Sequence, residues 1–437
     1  MPRDAAESRR VWRPWACSGS RTLGNEGALR VDGARQRSRG SVLTEERKKP
    51  RARRGLRWWT LRVVGALLSV LVLFVGAVVI AGWEAFGAAP EGARLEIVKA
   101  SPQWGDGAFE NVQPLWNDTW GMFTEPMSDH ASPSEAITPE HVGPERFAER
   151  HDLRVTWLGH STMILEVDER RFLIDPVWGE ATAPVPWFGP TRWYRPPLAL
   201  EDLPSVDAVL ISHDHYDHLD HPTIMALRDR ETTFVCPLGV GAHLAYWGVP
   251  EEHIVELDWW ERHSFGDLEL VMTPARHASG RQVFDQNRTL WGGFALLGPR
   301  HRAYYSGDTG LFSALDEIGE RLGPFDVTMI EVGQYAQAWP DWHLGPEQAV
   351  AAHRRVRGDV MIPVHWGLFG LAPHGWTEPI ERTVVAARKE NVRLATPRPG
   401  QSLSPNALRP QHAWWPEVPW RSAEAYPIVA TENGERD

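Results

Sequence analysis

A cluster of histidines and carboxylates directly after an apolar strand constrains this chain more than any other feature. The stretch Ile211-Ser-His-Asp-His-Tyr-Asp-His-Leu-Asp220 follows the apolar run 206–211 and precedes a predicted helix. A loop that joins a strand to a helix directs its side chains into a cleft at the end of the strand. Neutral imidazole nitrogens and carboxylate oxygens are ligands that zinc prefers. Three imidazoles within six residues therefore indicate a metal site and not a solvated polar loop.

The spacing within the cluster suggests two metal ions. His213 and His215 are two residues apart in an extended loop and can face one ion, whereas Asp217 and His218 lie past the turn and can face a second. The chain has only two cysteines, Cys17 and Cys236. They provide neither a disulfide framework nor zinc-finger spacing. Any metal must therefore be held by the carboxylates and the 18 histidines.

Three further candidate ligands follow other predicted strands. They are His277, Asp308 and His365, and each alone is equally compatible with a structural role. Together they supply the ligands that a two-metal site still lacks, because separate strand ends can converge on one rim. Asp308 is the natural bridge, since a carboxylate can give one oxygen to each ion.

Short β-rich runs alternate with helical runs from residue 152 onward. The predicted strands are Val155–Leu158, Met163–Val167, Phe172–Asp175, Ala208–Ser212, Phe234–Pro237, Leu268–Thr273, Gly292–Leu297, Ala303–Ser306, Val327–Val332, Val360–Val364 and Val392–Ala395. The predicted helices are Pro222–Arg228, Leu311–Arg321, Pro346–Arg355 and Glu378–Glu390. Two successive blocks of strands and helices predict an α/β fold in which two sheets pack face to face with helices outside.

Residues 63–83 form a run of 21 uncharged, mostly apolar residues. At about 1.5 Å per residue, a helix of this length crosses the roughly 30 Å apolar core of a membrane. The preceding stretch is strongly basic, which predicts a cytoplasmic tail and a catalytic domain on the extracytoplasmic side. The alternative is a signal peptide that is cleaved near Gly87-Ala88-Ala89, which would leave a secreted protein. The run exceeds the usual apolar region of a signal peptide, about 7–15 residues, and this favours an uncleaved anchor.

Charge separates the chain into a basic tail and an acidic body. Residues 1–62 contain 17 Lys or Arg and 6 Asp or Glu, which gives them a net charge of +11. The whole chain has a formal net charge of −11, so the remaining residues carry a net charge of −22. An acidic body repels phosphate backbones and argues against nucleic acid as a partner. The predicted organisation is a disordered cytoplasmic tail (1–62), a transmembrane anchor (63–83), a lead segment that packs on the domain (84–145), a main domain that carries the metal site (146–405) and a C-terminal extension (406–437).

The ligand motif identifies a family. The string His213-Asp-His-Tyr-Asp-His218, followed in order by His277, Asp308 and His365, resembles the metallo-β-lactamase superfamily. Within it, the chain resembles the N-acylphosphatidylethanolamine-hydrolysing phospholipase D family from about residue 95 to 400. The motifs that carry this second resemblance are Trp157-Leu-Gly-His-Ser-Thr162, Glu256-Leu-Asp-Trp-Trp-Glu261, Leu290-Trp-Gly-Gly293, Ser306-Gly-Asp-Thr-Gly310, Gly323-Pro-Phe-Asp326 and Val364-His-Trp-Gly367.

The resemblance implies an αββα metallo-β-lactamase sandwich, here with an N-terminal transmembrane helix. It implies two zinc ions, with iron or manganese as alternatives. One ion would be held by His213, His215 and His277. The other would be held by Asp217, His218 and His365, and Asp308 would bridge the two.

The same resemblance implies a phosphodiesterase that cleaves N-acylphosphatidylethanolamine-like phospholipids to phosphatidic acid and N-acylethanolamine. Asp217, Asp308 and His343 would be the catalytic residues, although Gly345 replaces an Asp that the family usually has after His343. His160 and Ser161 either support the ligands through hydrogen bonds or form a structural turn. The expected partners are a phospholipid or small ester substrate, the membrane through residues 63–83 and a second copy in a homodimer.

Three alternatives stay open from the sequence. A lactonase or a sugar-phosphate ester hydrolase could use the same site, and a metal-binding envelope protein would need no catalysis. A set of seven ligands argues against the last, since a structural zinc site needs only four. Four aromatic residues could line an acyl-chain entry, although ordinary core packing is the favoured interpretation for them: Trp187, Phe188, Trp259 and Trp260.

Overall fold

The computed structural model describes residues 52–408 and 412–435, which fall into a short unit (1–66) and a large unit (67–437). The first helix, α1 (Ala52–Ala81), is long and apolar enough over Arg57–Ala81 to cross a membrane, by length and composition alone. The prediction of a disordered tail is wrong for residues 52–62, which are helical. Once a helix has formed, adding residues to its end costs less free energy than starting a new helix. The Arg, Leu and Trp residues of this segment are compatible with a helix. The prediction for residues 1–51 lies outside the described residues.

The lead segment contains only short elements, as predicted. These are α2 (Gly92–Ala100), the hairpin strands β1 (Trp104–Gly105) and β2 (Ala108–Phe109), and α3 (Gly121–Thr124), which precede a 3-10 turn at Pro144–Phe147. Val98 and Phe109 anchor this segment, because both are completely buried in the main core.

Two seven-stranded sheets form the body. The first sheet contains β3 (Leu153–Gly159), β4 (Thr162–Val167), β5 (Arg170–Ile174), β6 (Ala208–Leu210), β7 (Thr233–Pro237), β8 (Ile254–Leu257) and β16 (Ser402–Leu403), in the order 16-3-4-5-6-7-8. The second contains β9 (Arg262–Phe265), β10 (Leu268–Thr273), β11 (Gly293–Leu297), β12 (Arg302–Tyr305), β13 (Phe325–Glu331), β14 (Gly358–Val364) and β15 (Arg393–Leu394), in the order 15-14-13-12-11-10-9. The predicted mixed α/β fold with two sheets is confirmed.

Helices cover the outer faces. They are α4 (His221–Leu227), α5 (Gly241–Tyr246), α6 (Ala314–Leu322), α7 (Pro346–Arg355) and α8 (Glu378–Lys389). Side chains alternate along the strands of the first sheet: Val209 and Phe234 pack with α4 and α5, whereas Leu210 and Val235 belong to the core shared with the second sheet. This alternation follows from the two-residue period of a strand. It places each sheet between a helical layer and the other sheet.

All eleven predicted strands overlap observed ones, but five observed strands were missed. Strand β9 is an edge strand whose residues alternate between exposed and half-buried, so its sequence lacks an apolar run. Strands β1, β2 and β16 have only two residues each, and β8 is half-buried. In its described part, the C-terminal extension has no α-helix or strand, and its first residues belong to a 3-10 turn at Pro405–Ala407. Trp415, Tyr426 and Thr431 are buried.

Candidate metal centre

All seven predicted ligands converge at one end of the two sheets. The loop His213–His218 follows β6 and is closed by Asp220, whose side chain accepts a hydrogen bond from Thr223 N and caps α4. His277 follows β10, Asp308 follows β12, and His365 directly follows β14. The convergence arises because these strands all end at the same rim.

The first donor group consists of three histidines. Ligand atoms of His213, His215 and His277 lie within 4.8 Å of one another. His213 Nε2 is 2.9 Å from His215 Nδ1, and His277 Nε2 is 3.3 Å from the same atom. In His213 and His277, the other ring nitrogen makes a hydrogen bond to a residue outside this donor group. His213 Nδ1 meets Ser212 Oγ at 3.0 Å, and His277 Nδ1 donates to the Trp342 carbonyl at 2.9 Å. Such bonds fix the ring orientation of a metal ligand.

The second donor group contains Asp217, His218 and His365, with His160 beside them. His160 Nε2 lies 2.8 Å from Asp217 Oδ2, and Ser161 Oγ lies 3.1 Å from His365 Nδ1. The turn after β3 therefore supports the ligands through hydrogen bonds, which was one of the two expectations for it. His160 adopts a left-handed backbone conformation (φ 52°) and is completely buried, so this turn is held tightly.

Asp308 stands between the two groups. Its Oδ2 is 3.1 Å from His218 Nε2 and its Oδ1 is 3.1 Å from His365 Nδ1. The same Oδ2 lies 3.9 Å from His213 Nε2 and 3.8 Å from His277 Nε2. One carboxylate thus reaches both groups, as a bridging ligand must.

Buried polar atoms at this point fit a bound cation. His218 Nε2, His365 Nε2 and Asp308 Oδ1 are buried and make no hydrogen bond to the described residues, and the first and last of these atoms have the close ion-pair contacts of 3.1 Å given above. Burying such atoms without a partner is costly, and each of them is a metal-ligand atom of the type that zinc, iron or manganese takes. The donor set and its unmet atoms therefore fit bound metal.

Burial and neighbouring charges shift the pKa values of the ligands. Burial lowers the pKa of His213, His277 and His365 well below the usual value, which keeps these imidazoles neutral and able to bind metal. Burial alone would also lower the pKa of His218, but the nearby carboxylates of Asp308, Asp217 and Asp175 outweigh it and raise the pKa well above the usual value. Because a ligating imidazole must be unprotonated at the bound atom, metal binding here is linked to proton release.

Two supporting carboxylates were missed by the sequence analysis. Asp175 accepts hydrogen bonds from Ser212 N (2.7 Å) and His218 Nδ1 (2.7 Å) and from the Tyr305 hydroxyl, and so holds a ligand ring in place. Glu331 contacts His343 Nδ1 at 2.8 Å and accepts a bond from Thr309 N. Both carboxylates stand at the end of an apolar strand, the signal that identified Asp308.

A buried ion pair joins the loops that carry His277 and His343. Arg276 Nη1 is 3.0 Å from Asp341 Oδ1, and neither side chain is exposed. Asp341 also accepts bonds from Trp116 N (2.9 Å) and Thr431 N (2.7 Å). Arg276 donates to the Thr431 carbonyl at 2.9 Å. We call this set the Arg276–Asp341 knot, and it ties the lead segment and the C-terminal extension to the site.

A cavity of about 250 Å³ opens above the donor groups. Its lining combines metal-site residues with an apolar wall: Met122, His215, Asp217, Asp308, Gln334, Trp339, Trp342, His343, His365 and Leu371. His343 is one of these lining residues, and its expected role at the substrate stays a prediction. The four aromatic candidates for an acyl entry are not among the lining residues. Trp259 belongs to the core and Trp260 packs against it, whereas Trp187 and Phe188 are exposed elsewhere.

Comparisons with known proteins show what this chain is similar to. Residues 170–366 match a family described as the beta-lactamase superfamily domain. An uncharacterized protein of Mycobacterium tuberculosis is 44% identical over 335 residues, which is 73% of this chain and 88% of that protein. An N-acyl-phosphatidylethanolamine-hydrolyzing phospholipase D 1 of Caenorhabditis elegans is 35% identical over 257 residues, 56% of this chain and 71% of that protein. The solved structure of Igni18, a metallo hydrolase of Ignicoccus hospitalis, is 22% identical with a TM-score of 0.44, and covers 57% of this chain and 97% of that one.

Proposed function

This chain belongs to the metallo-β-lactamase superfamily and is a metal-dependent hydrolase, and we propose that it is a dinuclear zinc phosphodiesterase that cleaves N-acylphosphatidylethanolamine-like phospholipids to phosphatidic acid and N-acylethanolamine. The observation that carries the proposal is the position of Asp308, which reaches both donor groups with one carboxylate. The non-enzymatic alternative is wrong, because the family and the donor set belong to hydrolases.

The metal pair, when bound, supplies a water nucleophile at neutral pH and neutralises charge that develops on the phosphoryl oxygens. The residues of the chain hold and orient this site. Asp308 joins the two donor groups, and His160 fixes Asp217 through a bond of 2.8 Å. Because water is the nucleophile, the reaction needs no Ser or Cys.

We propose that His343 exchanges a proton with the leaving group. Its Nδ1 meets Glu331 Oε2 at 2.8 Å, and its side chain lines the cavity. The ring is therefore oriented through one nitrogen, and Nε2 is the nitrogen left to exchange a proton with the leaving alkoxide oxygen. Gly345, which replaces an acidic residue of the family, caps α7 through its backbone and does not contact His343 as a side chain would.

The cavity supports a phospholipid headgroup as the group that enters. A volume of about 250 Å³ lies below the roughly 300–1,000 Å³ of sites that enclose a whole drug-sized ligand. A phosphodiester fits such a space, whereas the two acyl chains on glycerol and the third acyl chain on the ethanolamine nitrogen must remain outside. Met122, Trp339 and Leu371 provide apolar surface at the wall where the chains would begin.

Three hydrogen bonds support an anchor that stays attached. Trp247 Nε1 donates to the Glu84 carbonyl at 2.7 Å, and Arg281 Nε donates to the Ala85 carbonyl at 2.9 Å. Ala88 N donates to His243 Nδ1 at 3.1 Å. Cleavage near residues 87–89 would remove the two carbonyl acceptors and leave buried donors unpaired. We therefore propose a single-pass membrane protein with an extracytoplasmic catalytic domain, and a homodimer stays a prediction.

The test uses the purified full chain with an N-acylated phosphatidylethanolamine in mixed micelles, with and without a chelator. Mass spectrometry should detect both phosphatidic acid and the free N-acylethanolamine, and the chelator should abolish both products. Metal analysis on the same sample should show about two ions per chain.

The outcome that contradicts the substrate is equally specific. If neither product forms while two ions per chain are bound, the phospholipid assignment is wrong. Parallel assays with a lactone and a sugar-phosphate ester then decide between the two alternative hydrolase activities, since both could use the same metals.

A further inference from the structure

A β-hairpin beside the site ends in an apolar tip. Residues 181–191 form the hairpin, which is closed by a bridge between Ala181 and Thr191 and by a bond of 3.0 Å from Thr182 N to the Pro190 carbonyl. We call residues 184–188 the hairpin tip. Just beyond the hairpin, Trp193 N donates a hydrogen bond of 3.0 Å to the Leu368 carbonyl. Leu368 lies three residues before Leu371, which lines the cavity. One backbone bond thus links the residue pair after the hairpin to the segment that leads to the cavity residue Leu371.

The hairpin tip packs along the apolar helix α1. The ring centroids of Phe74 and Phe188 are 5.2 Å apart and those of Phe74 and Trp187 are 6.1 Å apart, both edge to face. At the other end of the tip, a Cβ built on Gly82 would lie only 2.8 Å from Pro184 Cβ. Phe74 and Gly82 are eight residues apart, about 12 Å along a helix. The tip therefore follows the last two turns of α1.

The exposure of the tip is unusual for a domain in water. Trp187 is 54% exposed and Phe188 is 52% exposed, although both are large aromatic residues in contact with a helix of mean hydropathy 3.0. A second apolar loop lies near the end of α1: Val283 and Phe284 are 86% and 92% exposed, two and three residues after Arg281, which donates to the Ala85 carbonyl. Exposed apolar groups gathered around a membrane-span helix indicate a lipid environment.

We propose that the hairpin tip inserts into the outer leaflet of the phospholipid bilayer that α1 spans. The inference rests on the proposed membrane anchoring and deepens the proposed function. If α1 crosses the membrane to about Ala81, Phe74 lies roughly 10 Å inside it, and its contacts bring Trp187 and Phe188 into the same leaflet. The cavity wall is thereby held against the membrane, so that a headgroup enters the cavity while its acyl chains stay in the leaflet.

The test measures depth and not activity. The full chain with Cys17→Ser carries a nitroxide spin label on Phe188→Cys and is reconstituted in nanodiscs of zwitterionic and anionic phospholipid. Cys236 does not compete for the label because it is buried. The matched control is the label on Val385→Cys, a 51% exposed position on α8. Power saturation compares relaxation by oxygen, which partitions into lipid, with relaxation by a water-soluble nickel chelate.

The label at position 188 should be relaxed mainly by oxygen, and the label at position 385 mainly by the nickel chelate. Equal relaxation by nickel at both positions would overturn the inference, as would failure of the chain to enter nanodiscs. A buried label in a chain that turns over no phospholipid would support insertion and refute only the proposed substrate.

A second measurement connects insertion to catalysis. The double substitution Trp187→Ser and Phe188→Ser should lower the rate on a bilayer-embedded phospholipid at least about tenfold, because each large apolar side chain contributes substantially to insertion. The rate on a soluble aryl phosphodiester should change less than about twofold, with Val385→Ser as the control. Equal losses on both substrates would show that the tip acts only on the fold, and would overturn the inference.

Discussion

Replacing Asp341 by Asn tests whether the Arg276–Asp341 knot holds the wall of the site. The substitution keeps the size of the side chain and removes its charge. In the native chain the two carboxylate oxygens accept bonds from Trp116 N, from Thr431 N and its hydroxyl, and they face the Arg276 guanidinium at 3.0 Å. An Asn side chain has only one acceptor oxygen. Its NH2 group would face N–H and O–H donors at the position where the second carboxylate oxygen of Asp341 accepts hydrogen bonds.

The expected cost follows from burial. Both members of the ion pair are completely buried, so the Asp341→Asn substitution would leave the Arg276 charge without its partner. Breaking a buried pair by removing one partner costs about 3–5 kcal/mol. In a large domain, each kcal/mol of lost stability lowers the melting temperature by about 2 °C or somewhat less. The variant should therefore melt roughly 5–10 °C below the native chain. The loops that carry His277 and His343 should loosen at the same time, which weakens metal retention.

The assay is a thermal melt of the full chain at one scan rate, together with metal content after dialysis. Asp316→Asn is the matched control, because Asp316 is 59% exposed and 4.0 Å from Arg355, so its loss should cost less than about 1 kcal/mol. Thr431→Ala keeps the ion pair and should have an intermediate effect, about 1 kcal/mol. If Asp341→Asn and Asp316→Asn melt at the same temperature, the knot does not hold the site and the reasoning is refuted.

Three further substitutions test the site and the fold. Asp308→Asn should lower turnover at least about 100-fold and reduce the amount of bound metal. The control Asp359→Asn, at an exposed position, should change neither quantity. Full turnover of the Asp308→Asn variant with two ions bound would contradict the bridging role. Glu331→Gln should keep the metals but lower kcat about 10–100-fold through the orientation of the neighbouring histidine, and an unchanged kcat would remove Glu331 from the mechanism. Burial lowers the pKa of His353 from 6.5 to about 4, so its stabilising contribution is present above pH 6.5 and lost as the pH falls from about 6.5 to about 4, by up to about 3 kcal/mol. His353→Gln should flatten that part of a plot of melting temperature against pH, and an identical slope would contradict the assignment.

The ends of buried strands explain why much of the site could be predicted from the sequence. Asp308 and His365 stand where an apolar run stops, and a polar residue there has to face the rim of a sheet. The loop at His213–His218 adds spacing that few other sites share. Asp175 and Glu331 follow the same rule, yet they were missed because a single carboxylate at a strand end has many structural uses.

Contacts between distant segments could not be predicted. The Arg276–Asp341 pair joins residues that the sequence separates by 65 positions, and no local pattern indicates that they meet. The contact of Phe74 with Phe188 likewise depends on how the hairpin folds back on α1. The polar edge strand β9 was missed for a different reason, because its neighbours in the sheet, and not an apolar run, make it a strand.

The knot cannot be complete until Thr431, near the end of the described residues, has been made. Ribosomes add about 5–20 residues per second, so α1 leaves the ribosome long before Thr431 is made. During that interval the metal loop exists, but the wall that carries His277 and His343 lacks the segment that closes it. In the proposed membrane-anchored enzyme, a nascent chain would therefore be held at the membrane with an incomplete site, and we expect hydrolysis of the proposed lipid to begin only when synthesis is nearly over.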